Sequence, residues 1–281
     1  MTDFDLGPSL LFCPADRPDR YVKAAERADA VILDLEDAVL PADRPAARRA
    51  LAEHPLDPAT TIVRLNPAGT NDFEADLAAL LATDYRTVML AKTESAADVA
   101  AVGNGLRVIA LCETARGVLA AGEIAAHAST VALMWGAEDL VASLGGTASR
   151  DADGRYRPLA LHARSTVLLA AGALGVAAID SVYLDIADLD GLAAEVLDAA
   201  ASGFAATACI HPGQVATIRS GYAPSADEVA TATALLAAAE NAAGVFRFDG
   251  RMVDEPVLRN ARSVLLRSRA AGTRNGDTKS L

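Results

Sequence analysis

The sequence lacks any apolar run that approaches the ~18–20 residues of a membrane-spanning helix. Its amino terminus is acidic and does not show the basic segment followed by an apolar one that marks a secretory signal peptide. The chain ends in KSL, which is not the SKL of a peroxisomal address. These absences predict a cytoplasmic protein that does not interact with a membrane.

Basic residues are in short supply. Lys and Arg together number 25 against 37 Asp and Glu, which gives a formal net charge of −12. Nucleic-acid binding needs clustered cations that neutralise phosphates, so this balance argues against a nucleic-acid partner. It still leaves room for a local basic pocket.

Cysteine and histidine are few and widely spaced. Cys13, Cys112 and Cys209 each lie in a separate apolar run, which predicts buried free thiols in a reducing compartment. The four histidines form no HxH or HExxH motif and there is no CxxC, so the spacing argues against a zinc site. The sequence also has no P-loop, which excludes nucleotide binding of the Walker type.

Short apolar runs rich in β-branched residues recur along the chain, separated by Ala-rich segments with helical spacing. We predict eight strands, at 9–14, 30–37, 61–66, 87–92, 107–114, 131–139, 181–187 and 206–211. Apolar strands that alternate with helices are typical of a parallel sheet covered on its faces. Eight such units predict an α/β fold, a (β/α)8 TIM barrel with a C-terminal helical extension. An open doubly wound sheet is the alternative, although no GxGxxG follows the first strand.

The chain divides into three parts on this pattern. Residues 1–222 should form the barrel and carry a site at its mouth. Residues 223–269 should form the last barrel helix and a C-terminal arm. Residues 270–281 should be a disordered tail.

Charged residues gather at the carboxyl ends of the predicted strands, the face on which barrel enzymes build their sites. They are Asp34, Glu36, Asp37, Arg64, Lys92, Glu113, Glu138, Asp139, Asp185 and His211. Successive side chains of a strand point to opposite faces of the sheet. If Glu113 faces the barrel interior, Cys112 must therefore pack against the helices. By the same rule Glu138 and Asp139 should diverge, with one of them facing the barrel mouth.

Two inward carboxylates on adjacent strands favour a hard divalent cation that also takes water and substrate oxygens, and magnesium matches best. A structural network in which these acids pair with Arg64 or Lys92 explains the same residues equally well. For Lys92 we expect a salt bridge to Glu36 or Asp37 rather than a Schiff-base role.

Three cations, Arg17, Arg20 and Lys23, follow the first predicted strand within seven residues. In an acidic protein such a cluster indicates contact with a phosphate group. A solvated face of the first helix is an equally good explanation.

Six motifs occur in order along the chain: LFCPADRPDRYVKAA, VILDLEDAV, ETARG, MWGAEDL, IHPGQ and GRMVDEPV. Together they resemble the citrate lyase β-subunit-like branch of the HpcH/HpaI aldolase family, from residue 9 to about residue 265. The chain is similar also to malyl-CoA and citramalyl-CoA lyases. The resemblance implies a TIM barrel, assembled as a homotrimer or a dimer of trimers, that uses Mg²⁺, with Mn²⁺ as a substitute, to cleave carbon–carbon bonds beside a thioester carbonyl.

The resemblance also implies roles for individual residues. Glu113 and Asp139 correspond to the magnesium carboxylates, and Arg64 to a catalytic arginine that binds substrate oxygens. Asp254 corresponds to a catalytic acid/base that the C-terminal arm of a neighbouring subunit lends to the site. Further substrate contacts are expected from Gly136, Ala137 and Glu138, coenzyme A contacts from Phe12, Arg17 and Lys23, and support around the metal from Glu36, Asp37 and Lys92.

The implied reaction is metal-dependent cleavage of a 3-hydroxyacyl-CoA to acetyl-CoA and a keto product. Malyl-, citramalyl-, citryl- and 3-hydroxy-3-methylglutaryl-CoA are the candidate substrates. Three alternatives stay open. The chain could be a citrate lyase β subunit that acts on the thioester of an acyl-carrier protein, an aldolase of free 2-keto acids, or a barrel that serves as a binding or scaffold module.

Overall fold

Eight parallel strands close a barrel in the computed structural model, which describes residues 4–240 and 244–277. Each strand pairs with its neighbours in sequence, and β8 pairs back to β1. The TIM barrel predicted from the alternating pattern is therefore confirmed. The strands are β1 Ser9–Pro14, β2 Ala30–Asp34, β3 Thr61–Leu65, β4 Thr87–Leu90, β5 Arg107–Cys112, β6 Thr130–Trp135, β7 Ala177–Asp180 and β8 Ala206–Cys209.

Helices follow the strands and cover the outside of the barrel. Those of the barrel are α1 Tyr21–Arg27, α2 Arg44–Glu53, α3 Asn71–Leu81, α4 Ala96–Ala101, α5 Ala115–Leu119, α6 Ala121–Ala125, α7 Ala137–Ser143, α8 Pro158–Leu174 and α9 Leu189–Ser202. Side chains cap several of them. The Thr70 hydroxyl accepts from the Phe73 N–H at the start of α3, and Ser95 and Asp98 form a reciprocal capping box on α4. Such caps satisfy backbone N–H groups that lack a partner inside the helix.

Apolar side chains fill the barrel interior. The inner cluster includes Leu10, Ile32, Ile62, Met89, Ile109, Ala132, Ile179 and Ala208, at least one from every strand. The alternate strand positions, such as Val31, Val63 and Val88, are equally buried and face the helices. Burial on both faces explains why the strands read as continuous apolar runs. All three cysteines are buried free thiols, as predicted.

The seventh strand is Ala177–Asp180 and not the predicted segment 181–187. SVYLDIA has more β-branched and aromatic residues than AAID, which led to the wrong choice. Pairing fixes the true strand, because Ile179 pairs with Met134 of β6 on one side and Ala206 of β8 on the other. Asp185 consequently lies in an exposed loop, where it accepts from the backbone N–H groups of Ala187 and Asp188.

Six other strands end one to four residues earlier than predicted, and three of them had been assigned acids at their ends. β2 stops at Asp34, β5 at Cys112 and β6 at Trp135. The acids that were assigned to the strand ends therefore lie just beyond them, and Glu138 and Asp139 occupy the first turn of α7. A helix amino terminus favours carboxylates, so the two acids also stabilise the start of this helix.

The described residues from Arg219 onward form a second compact unit. Helix α10, Val215–Tyr222, follows the short turn after β8, and the second unit begins within this helix. The other elements are α11 Ala226–Ala239, β9 Phe246–Phe248, β10 Arg251–Val253 and α12 Glu255–Asp277. Ala232 and Leu235 of α11, Val253 of β10, and Ala261 and Val264 of α12 form its apolar core.

A tight hairpin and a long helix characterise this second unit. Asp249 and Gly250 join β9 to β10, and both have positive φ, 46° and 77°, as the two-residue turn of a hairpin requires. Helix α12 extends to Asp277, into the segment 270–281 that was predicted to be a disordered tail. Residues 278–281 lie outside the described residues. Within the described part of the chain, no helix has both the length and the hydropathy of a membrane span.

Candidate active site at the barrel mouth

The carboxyl ends of β2 to β6 bring five carboxylates and two cations into one network, here called the mouth cluster. Its members are Asp34, Glu36, Asp37, Arg64, Lys92, Glu113 and Asp139. The strands place these residues together because parallel strands of a barrel all end on the same face. The barrel fold itself therefore brings these charged residues together.

Arg64 is the buried cation of the cluster, with 7% of its surface exposed. Its Nε and Nη2 donate to the two carboxylate oxygens of Asp34, both at 2.6 Å, and its Nη1 lies 2.9 Å from Glu36 Oε2. Its guanidinium also stacks over the Phe12 ring, 4.9 Å from the centroid. Burial alone would lower the pKa of Arg64, but Asp34 and Glu36 outweigh it and raise the pKa. Arg64 therefore remains charged, and two of its five N–H groups are left for a ligand.

Asp34 holds this arginine in place. Besides the two bonds from Arg64, it accepts from the backbone N–H groups of Glu36, at 2.9 Å, and Ala38, at 3.2 Å. A buried carboxylate that fills its lone pairs in this way offsets the cost of leaving water. The Arg64–Asp34 pair is a structural ion pair, and it fixes the direction in which the guanidinium points.

Lys92 is the second cation and lies among four carboxylates. Its Nζ contacts Glu36 Oε1 directly and lies 3.4 Å from Asp37 Oδ2. It is also 3.4 Å from Asp139 Oδ1 and 4.0 Å from Glu113 Oε1. The expected salt bridges to Glu36 and Asp37 are both present. The contacts with Glu113 and Asp139 were not predicted.

Glu113 is the deepest carboxylate that faces Lys92, with 2% of its surface exposed. Its Oε1 accepts from the backbone N–H of Lys92 at 3.0 Å. Burial raises the pKa of Glu113 to about 8, the nearby charge of Asp139 adds to this rise, and Lys92 and Arg64 oppose it. Positive charge placed beside Glu113 would favour its ionised form.

A hard divalent cation fits this environment. Five carboxylates face only two side-chain cations in the mouth cluster. Within the described ranges no group of three or more His, Cys, Asp or Glu side chains is arranged to hold a metal ion. The ligands expected from the sequence are two carboxylates, Glu113 and Asp139. Magnesium commonly binds through one or two carboxylates and completes its shell with water and substrate oxygens.

Gly136, at the start of α7, leaves room for the Glu113 side chain. A Cβ at position 136 would lie 2.9 Å from both Cβ and Oε2 of Glu113, closer than real Cβ atoms approach. We expect Gly136→Ala to displace Glu113 and to weaken Mg²⁺ binding by about tenfold or more, since steric overlap of this kind forces side chains off their rotamers. Isothermal titration calorimetry with MgCl₂ measures the effect.

The matched control is Gly172→Ala in α8, where an added Cβ meets no atom within 4 Å. Alanine favours a helix over glycine, so this variant should bind Mg²⁺ normally and unfold at a slightly higher temperature. Equal Mg²⁺ affinity in both variants would contradict a metal-binding role for Glu113.

Ala137 and Glu138, the two residues after Gly136, have different surroundings. Ala137 is buried in the first turn of α7. Glu138 accepts a hydrogen bond from the Ser149 hydroxyl of the following loop, whereas Asp139 reaches Lys92. The two acids diverge as predicted, although the reason is the 100° rotation between neighbouring helix residues and not strand alternation.

A second buried network lies beside the cluster and was missed by the sequence reasoning. Asp180, at the end of β7, accepts from Trp135 Nε1 at 2.6 Å and from Arg164 of α8 at 2.8 Å. Trp135 is fully buried and thus belongs to the barrel wall. Only the correct position of β7 would have identified Asp180 as a strand-end acid.

His211 caps the turn after β8, where its Nδ1 accepts from the Gly213 N–H.

Of the three residues expected to contact coenzyme A, one lies at the mouth cluster and two lie on the surface. Phe12 is partly buried in β1 and lies against Arg64. Arg17 is exposed and pairs with Asp19 at 3.1 Å, and Lys23 is exposed on α1. The structure therefore brings Phe12 to the mouth cluster and leaves the two cations on the surface of the segment that follows β1.

Asp254 belongs to the second unit and precedes α12. Its Oδ1 accepts from the Val257 N–H at 3.3 Å, and its carbonyl oxygen accepts from the Leu258 N–H. These bonds make it the amino-terminal cap of the helix. The Asp254 side chain is partly exposed.

Comparison with known proteins gives concordant results. The sequence model of the HpcH/HpaI aldolase/citrate lyase family matches residues 8–212, and that of a carbon–carbon bond lyase of the TIM-barrel fold matches residues 162–273. A citrate lyase subunit beta-like protein of Mycobacterium tuberculosis is 56% identical, over 93% of this chain and 96% of its own. A (3S)-malyl-CoA thioesterase of Cereibacter sphaeroides is 36% identical, over 93% and 94%.

A solved structure is equally similar. The M. tuberculosis protein CitE, crystallised in complex with magnesium, acetoacetate and coenzyme A, superimposes with a TM-score of 0.89. The two sequences are 56% identical, and the match covers 94% of this chain and 98% of that one. The chain therefore belongs to the HpcH/HpaI aldolase/citrate lyase family of TIM-barrel carbon–carbon lyases.

Proposed function

We propose that the protein is a Mg²⁺-dependent lyase that cleaves a 3-hydroxyacyl-CoA to acetyl-CoA and a keto product. The observation that carries the proposal is the mouth cluster, in which Glu113 and Asp139 both lie against Lys92 and a buried arginine is fixed by Asp34. The CitE structure supports it, since that protein was crystallised with magnesium, acetoacetate and coenzyme A. Acetoacetate is the keto product expected from 3-hydroxy-3-methylglutaryl-CoA, which makes this thioester a leading candidate.

Glu113 and Asp139 would hold the magnesium ion, as their shared proximity to the Lys92 ammonium supports. When bound, Mg²⁺ would supply a Lewis acid that polarises substrate oxygens. Gly136 keeps the space that Glu113 occupies, and Ala137 and Glu138 would border the substrate on the same side. Glu36, Asp37 and Lys92 would balance charge around the two ligands.

Arg64 would stabilise the negative charge that develops on the thioester oxygen. Asp34 and Glu36 already hold its guanidinium, so little reorganisation is needed when the charge appears. Donors that are fixed in advance and shielded from water contribute most to such stabilisation. Two N–H groups of the guanidinium remain for this purpose.

Asp254 would act as the base. Its carboxylate removes the proton of the substrate 3-hydroxyl, and the O–H electron pair forms the new C=O bond. The C2–C3 bond breaks, and its electrons pass to the thioester as an enolate. The enolate then takes this proton at C2 from the Asp254 carboxylic acid and leaves as acetyl-CoA, which regenerates the carboxylate. The other fragment, in which the former hydroxyl carbon C3 is now a carbonyl carbon, is the keto product.

The proposal also covers the residues that would bind coenzyme A and the assembly of the subunits. Phe12, Arg17 and Lys23 would contact coenzyme A, which requires Arg17 to exchange its pairing with Asp19 for a phosphate. We propose a homotrimer, or a dimer of trimers, in which Asp254 of one subunit serves the site of the next. An acyl-carrier protein remains the alternative source of the thioester.

The test is a panel of four thioesters, malyl-, citramalyl-, citryl- and 3-hydroxy-3-methylglutaryl-CoA, each incubated with Mg²⁺ and with EDTA. We expect acetyl-CoA from one or two of them, only with Mg²⁺, and none from Glu113→Gln. Release of free coenzyme A and the intact hydroxy acid would instead identify a thioesterase, as the C. sphaeroides relative is named. No reaction with any thioester, with Mg²⁺ binding intact, would favour a carrier-protein substrate or a free-acid aldolase.

A further inference from the structure

We propose that the Lys92 ammonium is an internal counter-ion that opposes a divalent cation at the barrel mouth and thereby sets the metal affinity of the site. The inference rests on the proposed function, because it takes Glu113 and Asp139 as the carboxylates that hold Mg²⁺. It concerns the one cation of the mouth cluster for which the mechanism has no chemical step.

The position of the ammonium is the first argument. Lys92 Nζ lies within 4.0 Å of four carboxylates, which come from the segments after β2 and β5 and from α7. Two of the four are the expected magnesium ligands. About 30% of the side chain is exposed, so the ammonium sits at the entrance to the cluster and not behind it. The carboxylates outweigh the effect of burial and raise the pKa of Lys92, so its charge persists.

The Lys92 ammonium and a metal ion bound to Asp139 would lie close enough to repel each other. Mg–O bonds are about 2.1 Å long, so an ion on Asp139 Oδ1 could lie no farther than about 5.5 Å from Nζ, given the 3.4 Å contact between Nζ and that oxygen. A singly and a doubly charged cation repel strongly at this separation in a partly buried site. Metal binding and the Lys92–Asp139 contact therefore oppose each other.

The cluster also offers the ammonium another position. Glu36 is in direct contact with Nζ, and Asp37 lies 3.4 Å away on the same side. Neither acid is an expected metal ligand. When the ion binds, Lys92 should give up Asp139 and Glu113 and keep Glu36 and Asp37. The metal affinity of the wild-type protein then includes the free energy of this displacement.

The Lys92 backbone allows the ammonium to be tested separately. Its φ of 48° lies in the left-handed region that side-chain-bearing residues seldom adopt. In this conformation its N–H donates to Glu113 Oε1 at 3.0 Å. Strained backbone of this kind persists where the surrounding structure enforces it, often at functional sites. This backbone hydrogen bond does not depend on the ammonium. Lys92→Met therefore removes the charge and keeps the hydrogen bond to Glu113.

The experiment is calorimetric titration of the metal-free full-length protein with MgCl₂ at constant ionic strength. We expect the Kd of Lys92→Met to be at least about tenfold lower than that of the wild type, because a repulsive charge is removed. Lys92→Arg, which keeps the charge, should bind like the wild type. Arg49→Met, a matched loss of one cation on the exposed face of α2, should also leave the Kd unchanged.

Stability gives a second readout that does not depend on catalysis. Without Mg²⁺, Lys92→Met leaves Arg64 as the one side-chain cation of the mouth cluster, so its unfolding midpoint should fall below that of the wild type. Saturating Mg²⁺ should close this gap. If Lys92→Met does not fold without metal, Lys92→Gln, with a polar uncharged side chain, is titrated in its place.

The outcomes separate the two proposals. Mg²⁺ binding that is lost in Glu113→Gln, together with equal or weaker binding in a folded Lys92→Met, would overturn the counter-ion role and leave the metal site in place. Absence of Mg²⁺ binding in the wild type, or normal binding in Glu113→Gln, would overturn the metal site itself. Tighter binding in Lys92→Met, with wild-type affinity in Lys92→Arg, supports the inference.

Discussion

Arg64→Ala should lower kcat by about 10²–10³-fold, the effect of removing a fixed donor from a site of developing charge. The guanidinium is the only buried cation of the mouth cluster, with 7% of its surface exposed, and it presents two N–H groups after its pairing with Asp34 and Glu36. Water that enters the alanine cavity would have to reorient as the enolate charge forms. The measurement is steady-state acetyl-CoA release with saturating Mg²⁺.

Stability must be measured alongside activity. Removal of Arg64 leaves the Asp34 carboxylate buried without a cation, and breaking a buried pair in this way costs about 3–5 kcal/mol. The assay therefore belongs below the unfolding midpoint of the variant, as determined by circular dichroism. Asp34→Asn provides the complementary control, since it weakens the same ion pair and keeps the arginine charge. It should lose stability with a smaller loss of kcat.

Arg64→Lys refines the interpretation. Lysine keeps the charge but cannot reproduce the two parallel bonds to Asp34 or the planar fork that faces the substrate. We expect intermediate activity and near-normal Mg²⁺ affinity. Near-wild-type kcat in a folded Arg64→Ala would exclude Arg64 from the chemical step, and a rise in KM alone would restrict it to binding.

The alternation of strands and helices was sufficient to predict the barrel, because strands buried on both faces must be continuously apolar. The direction of the strands then placed Arg64, Lys92 and Glu113 on one face. The seventh strand could not be predicted in the same way. Its four residues, AAID, are less β-prone than the loop that follows, and only pairing with Met134 and Ala206 selects them.

The charges of the site were predictable, but their partners were not. Asp34 could be placed at the end of β2, yet its bidentate contact with Arg64 depends on the register that sets the two residues side by side. The four contacts of Lys92 depend on three loops whose paths the sequence does not encode locally. Asp180 was overlooked for a simpler reason, since an error of a few residues in one strand moved the expected acid to Asp185.

Asp254→Asn is expected to lower kcat by about 10²–10⁴-fold, the usual contribution of a general base, with Mg²⁺ affinity unchanged. Asparagine caps a helix as well as aspartate, so α12 should keep its start and the second unit its stability. The matched control is Asp249→Asn in the hairpin turn, where asparagine tolerates the positive φ of 46°. This variant should retain full activity. A kcat within twofold of the wild type for Asp254→Asn would remove it from the mechanism.

Mixing two inactive variants tests whether Asp254 acts in the site of a neighbouring subunit. Glu113→Gln keeps Asp254, and Asp254→Asn keeps Glu113, so a mixed oligomer can join an intact barrel to an intact arm. In a cyclic homotrimer with random exchange, about one quarter of the sites would contain both groups, and activity should recover to about that fraction. Each variant alone should stay inactive after the same dissociation and reassembly. If the mixture also stays inactive although mass spectrometry shows mixed trimers, Asp254 must act within its own chain.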